Sequence, residues 1–183
     1  MNNPKPKEWV SDNLSRGYIA DYKGFNFVDG EGVRCSLYVS GCPFHCEGCY
    51  NAYAQSFKYG VPYTDELEAK ILNDLAHEGV QGLTLLGGEP FLNTGTCLAI
   101  VKKMRARFGN EKDIWSWTGY TWEEMMQESA DKLELLSLID VLVDGRFEQD
   151  KFDPNLAFRG SSNQRIIDVQ KSLASGEVVC YFN

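Results

Sequence analysis

The sequence predicts a single-domain α/β protein, an open, partial βα barrel on a largely parallel sheet. Three observations predict it. Short apolar strand patterns alternate with helix-length patterns from Arg34 to Val169, the order that βαβ units produce. No internal repeat, low-complexity tract or Gly/Ser/Pro-rich linker divides the chain. Its 183 residues fall short of the ~250 typical of a closed eight-fold barrel, so an incomplete one is expected.

The elements follow in order. Residues 1–16 are polar and read as an extension, laid over the body or partly mobile, ahead of a domain spanning 17–183. Arg34–Ser40 alternates polar and apolar side chains and reads as a strand leading into a cysteine-rich loop. Thr64–Glu78 reads as a helix: Thr64 suits the N-cap, Asp65 and Glu66 the first turn, and Leu67, Ile71 and Leu75 repeat on one face. Gly82–Leu86 is a short apolar strand ending at Gly87-Gly88. Thr94–Phe108 is a second helix, with Leu98, Val101, Met104 and Phe108 on one face and Gly109 closing it. Asp113–Thr118 is the next strand, and Thr121-Trp122-Glu123-Glu124 has the form of a capping box that starts a helix. Asp140–Val143, Gln164–Val169 and Glu177–Phe182 read as further strands.

A 43% hydrophobic and 13% aromatic composition describes a globular chain. The net charge of −8 argues against a general nucleic-acid binder, which would carry a basic surface. No run approaches the length of a membrane span and no signal peptide is visible, so a cytoplasmic protein with reduced thiols is expected. Its six cysteines then read as ligands, redox groups or core residues rather than a disulfide framework.

Three of them crowd into Gly41-Cys42-Pro43-Phe44-His45-Cys46-Glu47-Gly48-Cys49-Tyr50, a C-x3-C-x2-C pattern. Gly41, Pro43 and Gly48 disfavour a regular helix, so the segment is expected to loop around a metal centre. Three thiolates can hold three irons of a [4Fe-4S] cubane and leave the fourth open to a substrate. The plainer alternative is a structural zinc completed by Cys35 or His45, but no second C-x2-C pair exists for it. Cys35, Cys97 and Cys180 lie in strand or helix patterns and read as packing residues.

With this motif after an early strand, the chain resembles the radical S-adenosylmethionine proteins. Further segments narrow the resemblance to the anaerobic ribonucleoside-triphosphate reductase activating proteins: Gly30–Cys42, Gly48-Cys49-Tyr50-Asn51, Leu86-Gly87-Gly88-Glu89-Pro90, Asp113–Tyr120, Asp140–Phe147 and Arg159–Gln164. They keep their order and extend the match from about Gly17 to Asp168. The resemblance implies a [4Fe-4S] cluster on Cys42, Cys46 and Cys49 that gives an electron to S-adenosylmethionine and breaks its sulfur–C5′ bond. The resulting 5′-deoxyadenosyl radical would take a hydrogen atom from a glycine of the large reductase subunit. A one-electron reductant such as flavodoxin is implied as second partner, with no nucleic acid and no membrane. In the wider superfamily an aromatic residue precedes the third cysteine and packs near the adenine; Gly48 stands there, leaving the role to Tyr50 or a backbone contact beside Cys49.

The remaining candidates carry two readings each. Gly87, Gly88 and Glu89 close a strand where α/β folds place ligands, and the resemblance gives them the methionyl amino group; alone they would read as an ordinary turn. Trp115-Ser116-Trp117-Thr118 is either a packed strand or, through Ser116 or Thr118, a contact to the ribose or carboxylate. Asp144 is a turn residue or a polar contact at the mouth of the sheet. Arg159 and Arg165 flank Gly160-Ser161-Ser162-Asn163 and read as cofactor or partner contacts, or as a solvated loop. Lys102, Lys103, Arg105 and Arg107 read as a solvated helix face, and His45 as an exposed loop residue. The rival functions are another radical S-adenosylmethionine enzyme, of formate-lyase activase or deazaguanine type, and a zinc-stabilised binding module without chemistry.

Overall fold

The computed structural model describes residues 2–182. Its strands are β1 Tyr18–Asn26, β2 Val33–Val39, β3 Val61–Pro62, β4 Val80–Gly87, β5 Asp113–Trp117, β6 Val141–Asp144 and β7 Arg165–Asp168. They form one sheet in the spatial order β3-β1-β2-β4-β5-β6-β7. The central strands β2, β4, β5 and β6 run parallel, while β1 and β3 at one edge and β7 at the other pair antiparallel. No ladder joins β3 to β7 among the described residues, so the sheet is an open partial barrel, as expected.

The helices are α1 Ser11–Leu14, α2 Asp65–Leu75, α3 Thr94–Phe108, α4 Trp122–Met125, α5 Ala130–Ser137 and α6 Val169–Ser175. Local chemistry explains their starts. Thr64 Oγ1 accepts the Leu67 N–H at the head of α2, and both hydrogen bonds of the Thr121–Glu124 capping box are made. That second helix lasts only four residues, and the chain re-enters a helix after Ser129.

Two expectations change. β1 precedes the first expected strand; bulges near Ile19–Asp21 and Lys23–Asn26 interrupt the alternation that would have announced it. Residues 177–182 form no strand. They follow β7 through one isolated bridge, Ile167 to Cys180, with Tyr181 N donating to Ile166 O at 2.8 Å. Cys180 is exposed there, not packed, whereas Cys35 and Cys97 are fully buried in the core.

The sheet buries a different set of side chains on each face, because successive residues of a strand point opposite ways. Leu37, Leu83, Leu85, Ile114 and Leu142 pack with Ile71, Leu75, Ile100, Met104 and Leu135 of the helices. Trp115, Val141, Val143 and Ile166 form a second cluster covered by Trp117, Phe158 and Tyr181. On this inner side Arg34 is fully buried and bonds Thr84 Oγ1, Leu83 O and Asp113 Oδ1 at 2.7, 2.9 and 2.5 Å.

The N-terminal segment is laid over the body. Asn2 donates from its backbone N to Phe44 O and from Nδ2 to Pro43 O, at 2.8 and 2.7 Å. Trp9 meets the Phe44 ring edge-on at 4.9 Å, and Ser11 is buried under α3, its Oγ accepting the Thr94 N–H. The cysteine loop is thus clamped from outside between its first two cysteines.

Candidate functional site

β2 delivers the chain into the cysteine loop at the same end of the sheet where β4 delivers Gly87-Gly88-Glu89. Their backbones interlock: Gly88 N donates to Val39 O at 2.7 Å and Glu89 N to Gly41 O at 2.8 Å. A short 3-10 turn, Ala52–Gln55, holds the other side, with Gly41 N on Ala54 O at 2.6 Å and Cys42 N on Gln55 O at 3.0 Å. Glycine is required at this crossing. A Cβ on Gly88 would stand 2.6 Å from Gly41 O and 2.9 Å from Ala54 O, and backbone cannot yield as a side chain can.

Cys42, Cys46 and Cys49 all line a cavity of about 690 Å³. Its wall also takes in Leu86–Glu89, Trp117–Gly119, Gly145–Phe147 and Phe158–Gly160, the loops that follow β4, β5 and β6. Parallel strands end together here, which is where open α/β sheets bind ligands. The volume falls within the range of cofactor sites.

The donor set fits an iron–sulfur cluster. Burial pushes the Cys42 and Cys46 thiols up; the Glu89 carboxyl adds to this at Cys42, and the Phe147 N–H and Arg146 act against it at Cys46. Thiolates in such surroundings call for strong positive charge, which iron supplies. Among the described residues no three His, Cys, Asp or Glu side chains gather tightly enough for a single metal ion. A cubane takes its thiolates at separate corners, so a loop of spaced cysteines is the natural holder. His45 is exposed, its Nδ1 3.1 Å from Gln55 Oε1.

Of the other expected residues, Cys49, Tyr50, Gly87, Gly88, Glu89 and Thr118 line the cavity. Tyr50 is 77% exposed, which puts it at the mouth. Gly48 and Ser116 are not part of the wall. Gly48 has φ +71° and packs against Gln149 and Phe147. Ser116 is fully buried and alternates with Trp115 and Trp117, so it shares the helix-facing side with Ile114. Asp144 is not at the mouth either: buried, it accepts Trp122 N at 2.7 Å and pairs with Arg165 at 2.5 Å. Arg165 also forks onto Glu123, at 3.0 and 2.8 Å, and holds that carboxyl down at about 2. Lys102 and Lys103 are exposed, as expected of a solvated face, and pair with Glu134 and Glu68, while Arg105 turns inward to Asp140.

Glu89 ties the strand ends together. Oε1 accepts from Thr118 Oγ1 at 2.9 Å and Phe91 N at 3.1 Å, and Oε2 accepts from Gly119 N at 2.8 Å. Burial nonetheless pushes its carboxyl up to about 7. A raised acid favours the folded chain while protonated: its stabilisation is complete below the ordinary value of 4.5 and is lost as pH rises through 7. Thermal melts of the metal-free chain at about pH 5 and about pH 8 check this. The wild type is expected to lose stability between them relative to Glu89→Gln; parallel curves would contradict it.

Residues that motif reading passed over complete the wall. Tyr38 donates its hydroxyl to Asp29 Oδ2 at 2.5 Å, and both line the cavity with Trp117 and Phe147. The inward alternation of Arg34, Ser36 and Tyr38 along β2 was the available signal for Tyr38; Asp29 lies in an irregular connection and offered none.

Residues 28–167 match the family described as 4Fe-4S single cluster domain. Similar proteins include the anaerobic ribonucleoside-triphosphate reductase-activating protein of Pasteurella multocida, 46% identical over 149 residues, which cover 79% of this chain and 93% of that protein. Proteins of the same name from Escherichia coli (44% identical; 78% of this chain, 93% of that one) and Enterobacteria phage T4 (40%; 84% and 92%) match along a similar extent. A cysteine loop locked to a Gly-Gly-Glu turn over one cavity, and likeness along most of both chains, agree: the chain belongs to the family of anaerobic ribonucleoside-triphosphate reductase-activating proteins.

Proposed function

We propose that this chain is a radical S-adenosylmethionine activase that installs a glycyl radical on the large subunit of an anaerobic ribonucleoside-triphosphate reductase. The observation that carries the reading is the joining of Cys42, Cys46, Cys49 and Gly87-Gly88-Glu89 in one cavity wall, in a chain 46% identical to a protein of that name. The cluster and S-adenosylmethionine, when bound, supply one-electron cleavage of the sulfur–C5′ bond and hydrogen-atom abstraction from a glycine.

The chain's own residues bind and orient. Cys42, Cys46 and Cys49 would hold a four-iron cluster through three of its irons, which would leave the fourth free to bind the cofactor. Gly87 and Gly88 bring backbone close enough to take the methionyl ammonium, and Glu89 keeps that turn in register with Thr118-Gly119. Cys49, Tyr50 and Thr118 line the cavity and would border the bound cofactor, whereas Gly48 and Ser116 shape the loop and the strand behind it. The open barrel admits a segment of a large protein substrate. The electron comes from a small one-electron donor of flavodoxin type in the cytoplasm, and neither nucleic acid nor membrane takes part. In support, the chain carries a charge of −8, and no described helix is long and apolar enough to cross a membrane.

The test combines the anaerobically reconstituted chain, S-adenosylmethionine, a reductant and the reductase. An organic radical on the reductase, seen by electron paramagnetic resonance, is the expected result. Formation of 5′-deoxyadenosine without that radical would assign the chain another substrate, and no 5′-deoxyadenosine from a protein with a full cluster would overturn the reading.

A further inference from the structure

The cavity wall carries two cations, Arg146 and Arg159, and they are in opposite states. Arg146 is committed: its guanidinium forks onto Glu124 at 2.8 and 3.0 Å and lies over the Phe44 ring at 4.6 Å. Arg159 pairs with no carboxylate among the described residues. Its Nη1 donates to Gln164 O at 3.1 Å, which anchors one end of the group. Its Nε is buried and meets no acceptor there. A guanidinium that reaches a cavity wall with no carboxylate opposite it is a place for an anionic ligand.

The loop bearing Arg159 is held in place and borders the cysteine loop. Gln164 Oε1 accepts from Gly160 N at 3.0 Å and Ser161 N at 3.2 Å, and Gln164 Nε2 donates to Gly145 O at 3.0 Å. The Phe147 ring fills the space between Gly160 and Gly48, 2.9 and 3.3 Å from where their Cβ atoms would stand. Arg159 therefore sits next to a residue that touches the wall behind the cysteines, and its stem is preorganised. Guanidinium binds carboxylate through charge-assisted hydrogen bonds that are stronger than neutral ones.

S-Adenosylmethionine offers one anion, the methionyl carboxylate; its ammonium and sulfonium would be repelled by arginine. We propose that Arg159 binds this carboxylate, an assignment that rests on the proposed function. The ammonium then faces the Gly87-Gly88 backbone while the carboxylate faces Arg159, and the two contacts set which way the cofactor lies in the cavity.

Equilibrium dialysis tests this on the cluster-loaded chain, with S-adenosylmethionine and its decarboxylated analogue as probes. Arg159→Met is expected to weaken S-adenosylmethionine binding by about tenfold to a hundredfold, the usual range for a lost charged hydrogen bond. It is expected to leave the analogue's affinity within about twofold, and Arg159→Lys is expected to fall between. Equal weakening of both probes would make Arg159 a support of its loop only, and unchanged affinities would remove it from the site; either overturns the proposal. Unchanged cofactor binding with a raised KM for the reductase would hand the guanidinium to an acidic group of the partner, which also overturns it. Should Arg159→Met fail to fold, Arg159→Gln compared on the same two probes still decides: equal weakening of both refutes the assignment. A wild type that binds neither probe would sink the proposed function itself, a distinct result.

Discussion

Replacing Cys46 by alanine is expected to abolish the four-iron cluster and all S-adenosylmethionine cleavage while the chain stays folded. Cys46 lines the cavity and is only half-buried, so losing one sulfur removes little packing, on the order of 1 kcal/mol. Its place in the loop does not depend on the thiol: Gly41 and Cys42 are tied to Ala54 and Gln55, and Asn2 and Trp9 grip Pro43 and Phe44. The loss falls on chemistry, because Cys42 and Cys49 alone cannot retain a cubane. Iron and sulfide content, 5′-deoxyadenosine yield and a thermal melt of the metal-free chain check the three parts. A full cluster with normal cleavage would strike Cys46 from the ligand set. A wild type that is itself unfolded without metal and folds on adding zinc would favour the structural-zinc reading, in which metal binding and folding are one equilibrium.

Lys132→Met is expected to cost about 3–5 kcal/mol of folding stability, a large share of the ~5–15 kcal/mol a domain has. Lys132 and Glu128 are 0% and 2% exposed, with Nζ 2.7 Å from Oε2. Methionine keeps the length of the side chain, so packing is largely spared. The cost arises because the Glu128 carboxyl, still bonded by Lys7 N, loses its partner inside the protein. Trp9 O loses its donor as well, a bond of 2.6 Å, which loosens the segment that packs on Phe44. Denaturant unfolding of the metal-free chain measures the change, and the double variant with Glu128→Gln is expected to recover much of it. A single-variant loss under about 1 kcal/mol would mean that water reaches Glu128 and the pair is not a buried one.

The site was legible in the sequence where chemistry is concentrated in a short segment. The spacing of Cys42, Cys46 and Cys49 announces a metal loop whatever surrounds it, and Thr64, Thr121 and Gly109 mark helix ends through bonds made within one turn. β1 is hidden in the sequence because bulges break its period, and Val178-Val179-Cys180 has strand composition but pairs at one bridge. Ser116 shows the limit most clearly. Its neighbour Trp117 lines the cavity, yet a one-residue step along a strand turns a side chain to the opposite face.

Residue type and spacing along the chain were therefore enough for the α/β class, the cysteine loop and the Gly-Gly-Glu turn, since each rests on contacts between near neighbours. Folding settled the rest. It placed Gly88 against Gly41, Asn2 against Pro43, Lys7 against Glu128 and Arg159 beside the cluster loop, pairs that lie far apart in sequence. Whether a charge meets a carboxylate, as in Arg146 and Arg165, or meets none among the described residues, as in Arg159, depends on which distant side chain arrives, and no local pattern encodes that.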